Sequence, residues 1–335
     1  MRRSAAIWLV VGVAAVVAAV VYAGFGAVVH AVASLRIRGL LVLVLVHMPI
    51  VALMGLAWWF AAGRDPPASQ ARFVWARFVR DAAGELLPFL QLGGVLFGVR
   101  ALGRGKAITV GAVSASIDGV IELTAKLPYV FAALLALAPH ARLTRPLSLA
   151  LAATGIVVVI LLFARRSLTA SLEAMARAIS ARWPEVFPHA DGPPDRTVRM
   201  SFDDIFRERG RLWSSLALHL GCWFLAAGEA WITFRLLGVD LTLPQALAID
   251  GTVAVLRTFG WIVPAAAGVQ EASYLLAAAV FGIPPAAAIA ASFARRARDL
   301  LLGVATLGIA AIGDPNFAPF AVLRQRPRVR SRIPP

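Results

Sequence analysis

The stretch RDAAGELLPFLQLGG, residues 80–94, carries Arg80, Asp81, Glu85 and Gln91 around Pro88 and a Gly93-Gly94 pair, in a chain whose mean hydropathy is +0.78. What it means depends on the solvent around it. Of the 335 residues 60% are apolar and 15% charged. Runs such as residues 5–29 exceed the roughly 20 residues that cross a ~30 Å hydrocarbon core. The chain therefore reads as an all-α polytopic membrane protein. Backbone that leaves a helix inside hydrocarbon has no water to satisfy it, so a broken apolar segment is tolerated only where protein or a wet cavity lines it. Residues 80–94 then read as the break of a re-entrant hairpin.

Outward from this break, six segments read as full transmembrane helices: 5–28, 39–62, 111–138, 147–164, 212–237 and 286–312. Two more are apolar but interrupted, 75–104 at Pro88 and Gly93-Gly94, and 243–282 at Pro264 and Gly268. The first span follows Met1-Arg2-Arg3, but it exceeds the roughly 7 to 15 apolar residues of a signal peptide and reads as a retained helix. Span, hairpin, span over 39–138 recurs over 212–312, and the step from Pro88 to Pro264 nearly equals that from Gly94 to Gly268. Arginines in 63–80, in 165–211 and at the C-terminus place these segments and both termini on the cytoplasmic side. That topology makes the two units inverted repeats, an arrangement in which paired broken helices meet near the midplane around a substrate. The domain expected is one integral membrane unit, 1–320. Within it, 165–211 is a cytoplasmic amphipathic connector with Leu168, Leu172, Met175, Ile179 and Trp183 at helical spacing, and 321–335 follows as a basic tail.

The formal charge of +15 is almost all arginine. It suits anionic lipid head groups, and genome composition explains the choice of arginine over lysine equally well. No soluble basic domain is present to bind nucleic acid. Cys222, the single cysteine, excludes an internal disulfide and a cysteine metal cluster. The five histidines show no metal-binding spacing, and no nucleophile elbow occurs, so neither a catalytic residue, a metal nor a cofactor is expected. Asp203 and Asp204 read as a solvated helix start.

Charges in a span cost roughly 2.5 to 3.5 kcal/mol each on the lenient insertion scale, so they pair or line a cavity. Three groups qualify as substrate-binding candidates. The first is Arg80, Asp81, Glu85 and Gln91 with Arg100. The second is Asp118 and Glu122, on one helical face with Lys126. The third is Arg257, Gln270, Glu271 and Tyr274 with Arg295, Arg298 and Asp299, to which Asp250 is added. Asp118 and Glu122 recur as Arg295 and Asp299 at one common offset, each pair a helical turn apart, which suggests that the two helices pair across the repeat axis.

Residues 77–102, 114–123 and 263–303 resemble the transmembrane region of the lysylphosphatidylglycerol synthetase and flippase family, and within it the hopanoid-associated membrane proteins of bacteria. Arg80, Asp81, Leu86, Leu87, Pro88, Gln91, Gly93 and Gly94 match its first hairpin motif, with Arg100 downstream. Pro264, Gly268, Val269, Gln270, Glu271 and Tyr274 match its second, and Arg295, Arg298 and Asp299 its Arg-x-x-Arg-Asp run. Gly84-Glu85, Ala265, Ala272 and Asp250 depart from the pattern. The resemblance implies an inner-membrane lipid transporter or flippase-like protein concerned with hopanoid movement toward the outer membrane. The family's aminoacyl transfer belongs to a separate soluble domain, and the short, basic, Pro-rich stretch after Gly313 leaves no room for one, so no enzyme is expected. Expected partners are membrane lipids, hopanoid or anionic phospholipid, with a homo-oligomer or lipid-export machinery as protein partners. Two alternatives stand beside this reading: a non-transporting partner of lipid-modifying enzymes, and an intramembrane enzyme using Glu271 and Asp299.

Overall fold

A computed structural model describes residues 2–86, 91–103, 106–137, 149, 152–153, 156, 205, 207–259 and 267–313. They form ten helices and no strand: α1 (Arg2–Ala23), α2 (Phe25–Ser34), α3 (Arg36–Ala61), α4 (Gln70–Leu86), α5 (Gln91–Leu102), α6 (Lys106–Leu137), α7 (Arg209–Leu236), α8 (Leu243–Phe259), α9 (Val269–Val280) and α10 (Pro285–Gly313). Pro88, Pro264, nearly all of the 147–164 span and of the 165–211 connector, and the 321–335 tail lie outside the described residues.

Both units keep one element order and closely similar lengths. The opening helices α3 and α7 have 26 and 28 residues, and the closing helices α6 and α10 have 32 and 29. Between them the hairpin arms have 17 and 12 residues in each unit, α4 with α5 and α8 with α9. At 1.5 Å per residue these described arms reach about 26 and 18 Å, shorter than a ~30 Å hydrocarbon core. The contacts interleave the units. α3 packs on α7, while α4 of the first unit packs on α10 of the second and α8 of the second on α6 of the first. Val79, Ala82, Ala83 and Phe97 bury against Leu307 and Ala310, and Tyr129, Val130 and Leu137 against Ala248, Ala254 and Val255.

Two sequence expectations need correction. The span expected over 5–28 is interrupted at Gly24 (φ 84°), where the helix direction turns by 90° between Val13–Ala23 and Phe25–Ser34. Hydropathy does not register a glycine that leaves right-handed φ/ψ inside an apolar run. Gly93 and Gly94 do not break the first hairpin either, because both lie in the first turn of α5. Their neighbourhood needs glycine for another reason. A Cβ on Gly94 would lie 2.5 Å from the Arg80 carbonyl, and one on Gly98 would lie 2.9 Å from that of Ala76. Glycine therefore lets the antiparallel arms α4 and α5 touch backbone to backbone.

Elsewhere punctuation is as the residues dictate. α7 and α9 end in Gly238 (φ 76°) and Gly282 (φ 68°), each inside a Schellman pair: Val239 N–H to Phe234 O with Gly238 N–H to Arg235 O, and Ile283 N–H to Ala278 O with Gly282 N–H to Ala279 O. Pro284 and Pro285 then start α10.

Three helices, Arg36–Ala61, Val110–Leu137 and Arg209–Leu236, are long and apolar enough to cross a membrane, or four spans if the bent α1–α2 pair counts as one. α10 is long enough, but Arg295, Arg296, Arg298 and Asp299 remove it from that class. Its buried face explains the charges. Ala288, Ala291, Ser292 and Arg298 are buried, whereas Leu300, Leu301, Val304 and Ile312 are exposed. Polar groups turned inward and large apolar groups turned outward are the pattern of a helix in lipid.

Candidate functional site

Among the described residues, the charges of the hairpins and closing helices condense into four linked ion-pair clusters. In the first, Arg77 and Arg80 project from one face of α4 toward α6. Arg77 donates to Asp81 one turn along (3.0 Å), to Glu122 (3.1 Å) and lies 3.5 Å from Asp118. Arg80 donates to Asp118 Oδ2 at 3.0 Å and reaches Glu122 at 4.0 Å. His219 of α7 contacts the other oxygen of Asp118 through Nε2 at 2.8 Å. Asp118 and His219 are fully buried, and the Arg80 guanidinium sits 5.8 Å above Trp58, whose indole N–H donates to Ser114. The carboxylate oxygens of this cluster accept from two guanidinium groups, so its counter-charges are protein side chains.

The second cluster exchanges the signs. Asp250 on the hairpin arm α8 accepts from Arg295 on the closing helix α10 (2.9 Å) and from the Tyr129 hydroxyl (2.6 Å). Tyr274 lies buried beside Arg295 and packs on Phe234. Near the break of each hairpin, Arg257 of α8 donates to Glu85 of α4 at 3.0 Å. Lys126 donates to Thr258 at 2.8 Å and lies 4.7 Å over Trp223.

The third cluster organises the start of α9. Gly268 (φ 78°) caps the helix, and its N–H donates to Glu271 Oε2 at 2.9 Å, the carboxylate half of a capping box in which a glycine contributes no side chain. Glu271 also takes a two-pronged contact from Arg296 (2.7 and 3.1 Å) and a hydrogen bond from Ser292 (3.0 Å). Gln270 ties the same serine through its hydroxyl (2.9 Å) and carbonyl (3.1 Å). In the fourth, Arg298 of α10 pairs with Glu229 of α7 and with Asp299, and His47 of α3 meets Glu229 through Nδ1 at 2.9 Å.

The structure thus brings Arg80 together with Asp118 and Glu122, which the sequence had placed in separate groups. Asp118 and Glu122 engage Arg77, Arg80 and His219, and Arg295 engages Asp250. The expected pairing of the two closing helices through these residues is overturned, because arginines of α4 reach Asp118 and Glu122 while Asp250 of α8 takes Arg295. Glu271 and Asp299, the carboxylates on which an intramembrane enzyme would draw, sit in separate ion pairs. Arg100 is buried in the last turn of α5, and Gln91 opens that helix. Arg77, His219, Glu229 and His47 belong to the network without having been singled out. A usable signal existed, since the step from His47 to His219 is close to the offset between the units.

A cavity of about 440 Å³ lies at the end of α3, lined by Gly63, Arg64, Asp65, Val110, Arg207 and Glu208, away from the predicted site residues. Those cluster residues that belong to α3, α6 and α7 lie on helices long and apolar enough to cross a bilayer.

No curated protein and no solved structure matches the chain. Among protein families, residues 7–306 match the lysylphosphatidylglycerol synthase TM region. This match takes in the first unit, all but the last residues of the second and every cluster described above, so the chain is a multi-pass membrane protein and belongs to the lysylphosphatidylglycerol synthase transmembrane-region family.

Proposed function

We propose that the protein moves an amphiphilic lipid across or out of the bacterial inner membrane, with both termini cytoplasmic, and that hopanoids bound for the outer membrane are its cargo. The observation that carries this reading is the meeting of the two hairpin ends at the Glu85–Arg257 pair, amid buried charges contributed by both units. The exchanged packing of α4 on α10 and α8 on α6 supports an inverted relation between the units. Separation of the hairpins there would expose Arg80, Arg100 and Arg257 to a polar head group, while the outward Leu and Val side chains keep its apolar body in lipid. On this reading the protein is a transporter, and no bond of the lipid is made or broken.

Two measurements test it. Purified protein in liposomes should accelerate exchange of a labelled hopanoid between leaflets, and a strain without the gene should retain hopanoids in its inner membrane. A normal distribution of hopanoids in that strain removes them as cargo. The near-complete internal pairing of the clusters supports a second reading, a non-transporting scaffold for lipid-modifying enzymes. A scaffold would tolerate Glu271→Gln without losing its partners and would move no lipid.

A further inference from the structure

The cavity at the end of α3 takes no part in the hairpin clusters, and its lining brings three elements together. Gly63 (φ 82°) turns the chain off α3, and a Cβ there would meet Ile205 at 3.1 Å, so glycine lets the two segments close on each other. Ile205 is buried against Ala61 of α3 and against Val113 and Ile117 of α6. With Ala62 and Val110 it supplies the apolar lining. Arg64 and Asp65, which follow Gly63, and Arg207 and Glu208, which precede α7, supply the charged lining. The volume of about 440 Å³ suits a small-molecule site, for which roughly 300 to 1,000 Å³ is usual.

Its position decides what can reach it. α3 and α7 are long and apolar enough to cross a bilayer, and the cavity lies just past the last turn of the one and just before the first turn of the other. That is the depth of lipid head groups. Aromatic residues mark the same level: Trp59 and Phe60 close α3, and Trp213, 68% exposed, lies in the second turn of α7. Arg211 donates to the carbonyls of Trp59 (2.9 Å) and Phe60 (3.3 Å) and lies over both rings. It thereby covers the negative end of α3, which would otherwise repel a phosphate. Arg64, Asp65 and Arg207 are exposed and Glu208 is half-buried, with Arg211 within its electrostatic reach. Among the described residues, no ion pair joins Arg64 to Asp65 or to Glu208. An anionic head group would draw on the arginines alone. Carboxylates beside them suit a ligand that carries a cation next to its phosphate.

We propose that this cavity binds a phospholipid whose head group carries a primary ammonium beside its phosphodiester, as in phosphatidylethanolamine. The phosphate faces Arg64 and Arg207, and the ammonium faces Asp65 and Glu208. The bound head group ties the end of α3 to the start of α7, the opening helices of the two units. It is a second lipid site, apart from the hairpins, and it does not rest on the lipid-moving reading above.

Native mass spectrometry tests it on the full chain, released from micelles that hold equal amounts of phosphatidylethanolamine and phosphatidylglycerol. The wild type should retain severalfold more of the first. Arg64→Gln should weaken retention of both lipids about three- to fivefold, as loss of one exposed ion pair implies. Asp65→Asn combined with Glu208→Gln should bring the two lipids to parity while phosphatidylglycerol stays bound, a change of selectivity that a merely structural role would not produce. Val110→Phe, which fills the cavity, should abolish the preference, and Arg235→Gln, at the far end of α7, should leave it intact. Equal retention of both lipids by the wild type, or an unchanged preference in the double variant, overturns the proposal. So does a loss in Arg235→Gln as large as that in Arg64→Gln. Competition by free O-phosphoethanolamine as strong as that by the lipid overturns the lipid assignment in favour of a soluble ligand of the same chemistry.

Discussion

The two units, 39–138 and 212–312, share one architecture and use opposite charges. On the first hairpin arm, α4 presents Arg77 and Arg80 to the acids Asp118 and Glu122 of its closing helix; on the second, α8 presents the acid Asp250 to Arg295. Each pair joins a hairpin arm to a closing helix, with the signs exchanged. The exchange has a physical consequence. Where the two units meet at Glu85 and Arg257, opposite charges face each other, as low dielectric favours.

The largest test of this equivalence removes one acid from each unit. Asp118→Ala leaves Arg80 and His219 facing a gap, and Asp250→Ala does the same to Arg295 and Tyr129, so each should lose about 3 to 5 kcal/mol. Unfolding of the detergent-solubilised protein measures both. A loss confined to Asp118 would mean that only the first unit depends on its ion pairs.

Glycines separate the hairpins in a different way. Gly94→Val would force a side chain against the Arg80 carbonyl and should cost about 1 to 3 kcal/mol through overpacking. Gly268→Ala meets a dihedral problem instead, at φ 78°, and should cost about 1 to 2 kcal/mol. Addition of a second substitution that lengthens the link between α4 and α5 should relieve neither. Equal sensitivity of the two sites to side-chain size would contradict the contrast.

How far the sequence carried these conclusions follows from what each kind of signal encodes. Hydropathy located the long apolar helices α3, α6 and α7, because element length and apolar content are local properties. Helical spacing likewise put Asp118 and Glu122 on one face. It could not choose their partners, since a face says nothing about which side chains reach it, and here they come from α4 and α7. His219 and His47 escaped because isolated histidines have no motif spacing. Their roles come from tertiary contacts with Asp118 and Glu229, on helices contributed by the opposite unit. Gly24 escaped for the opposite reason: its surroundings are uniformly apolar, and only the backbone dihedral reveals the turn.

The Glu85–Arg257 pair should yield a smaller effect than the buried acids. Its side chains keep 33% and 20% exposure, so part of the attraction is already screened. A double-mutant cycle with Glu85→Gln and Arg257→Gln should give a coupling of about 1 kcal/mol in unfolding. If the hairpin ends part during lipid movement, the same substitutions should raise the transport rate while they lower stability. A fall in both would make the pair part of a lipid site instead of a latch between units.

The smallest effect is expected where the second unit carries an ion pair with no burial to strengthen it. Arg235 reaches Asp240 at 3.1 Å, but their side chains are 54% and 86% exposed at the turn between α7 and α8. Arg235 also lies 4.9 Å over Trp231, which retains favourable contact when the carboxylate is lost. Asp240→Asn should therefore change stability by less than about 1 kcal/mol, and that change should vanish in high salt. The buried Asp118 and Asp250 pairs should keep most of their effect in the same salt, because ions do not reach them. A salt-insensitive loss at Asp240 comparable to theirs would show that sequence proximity, and not burial between the units, sets the strength of these pairs.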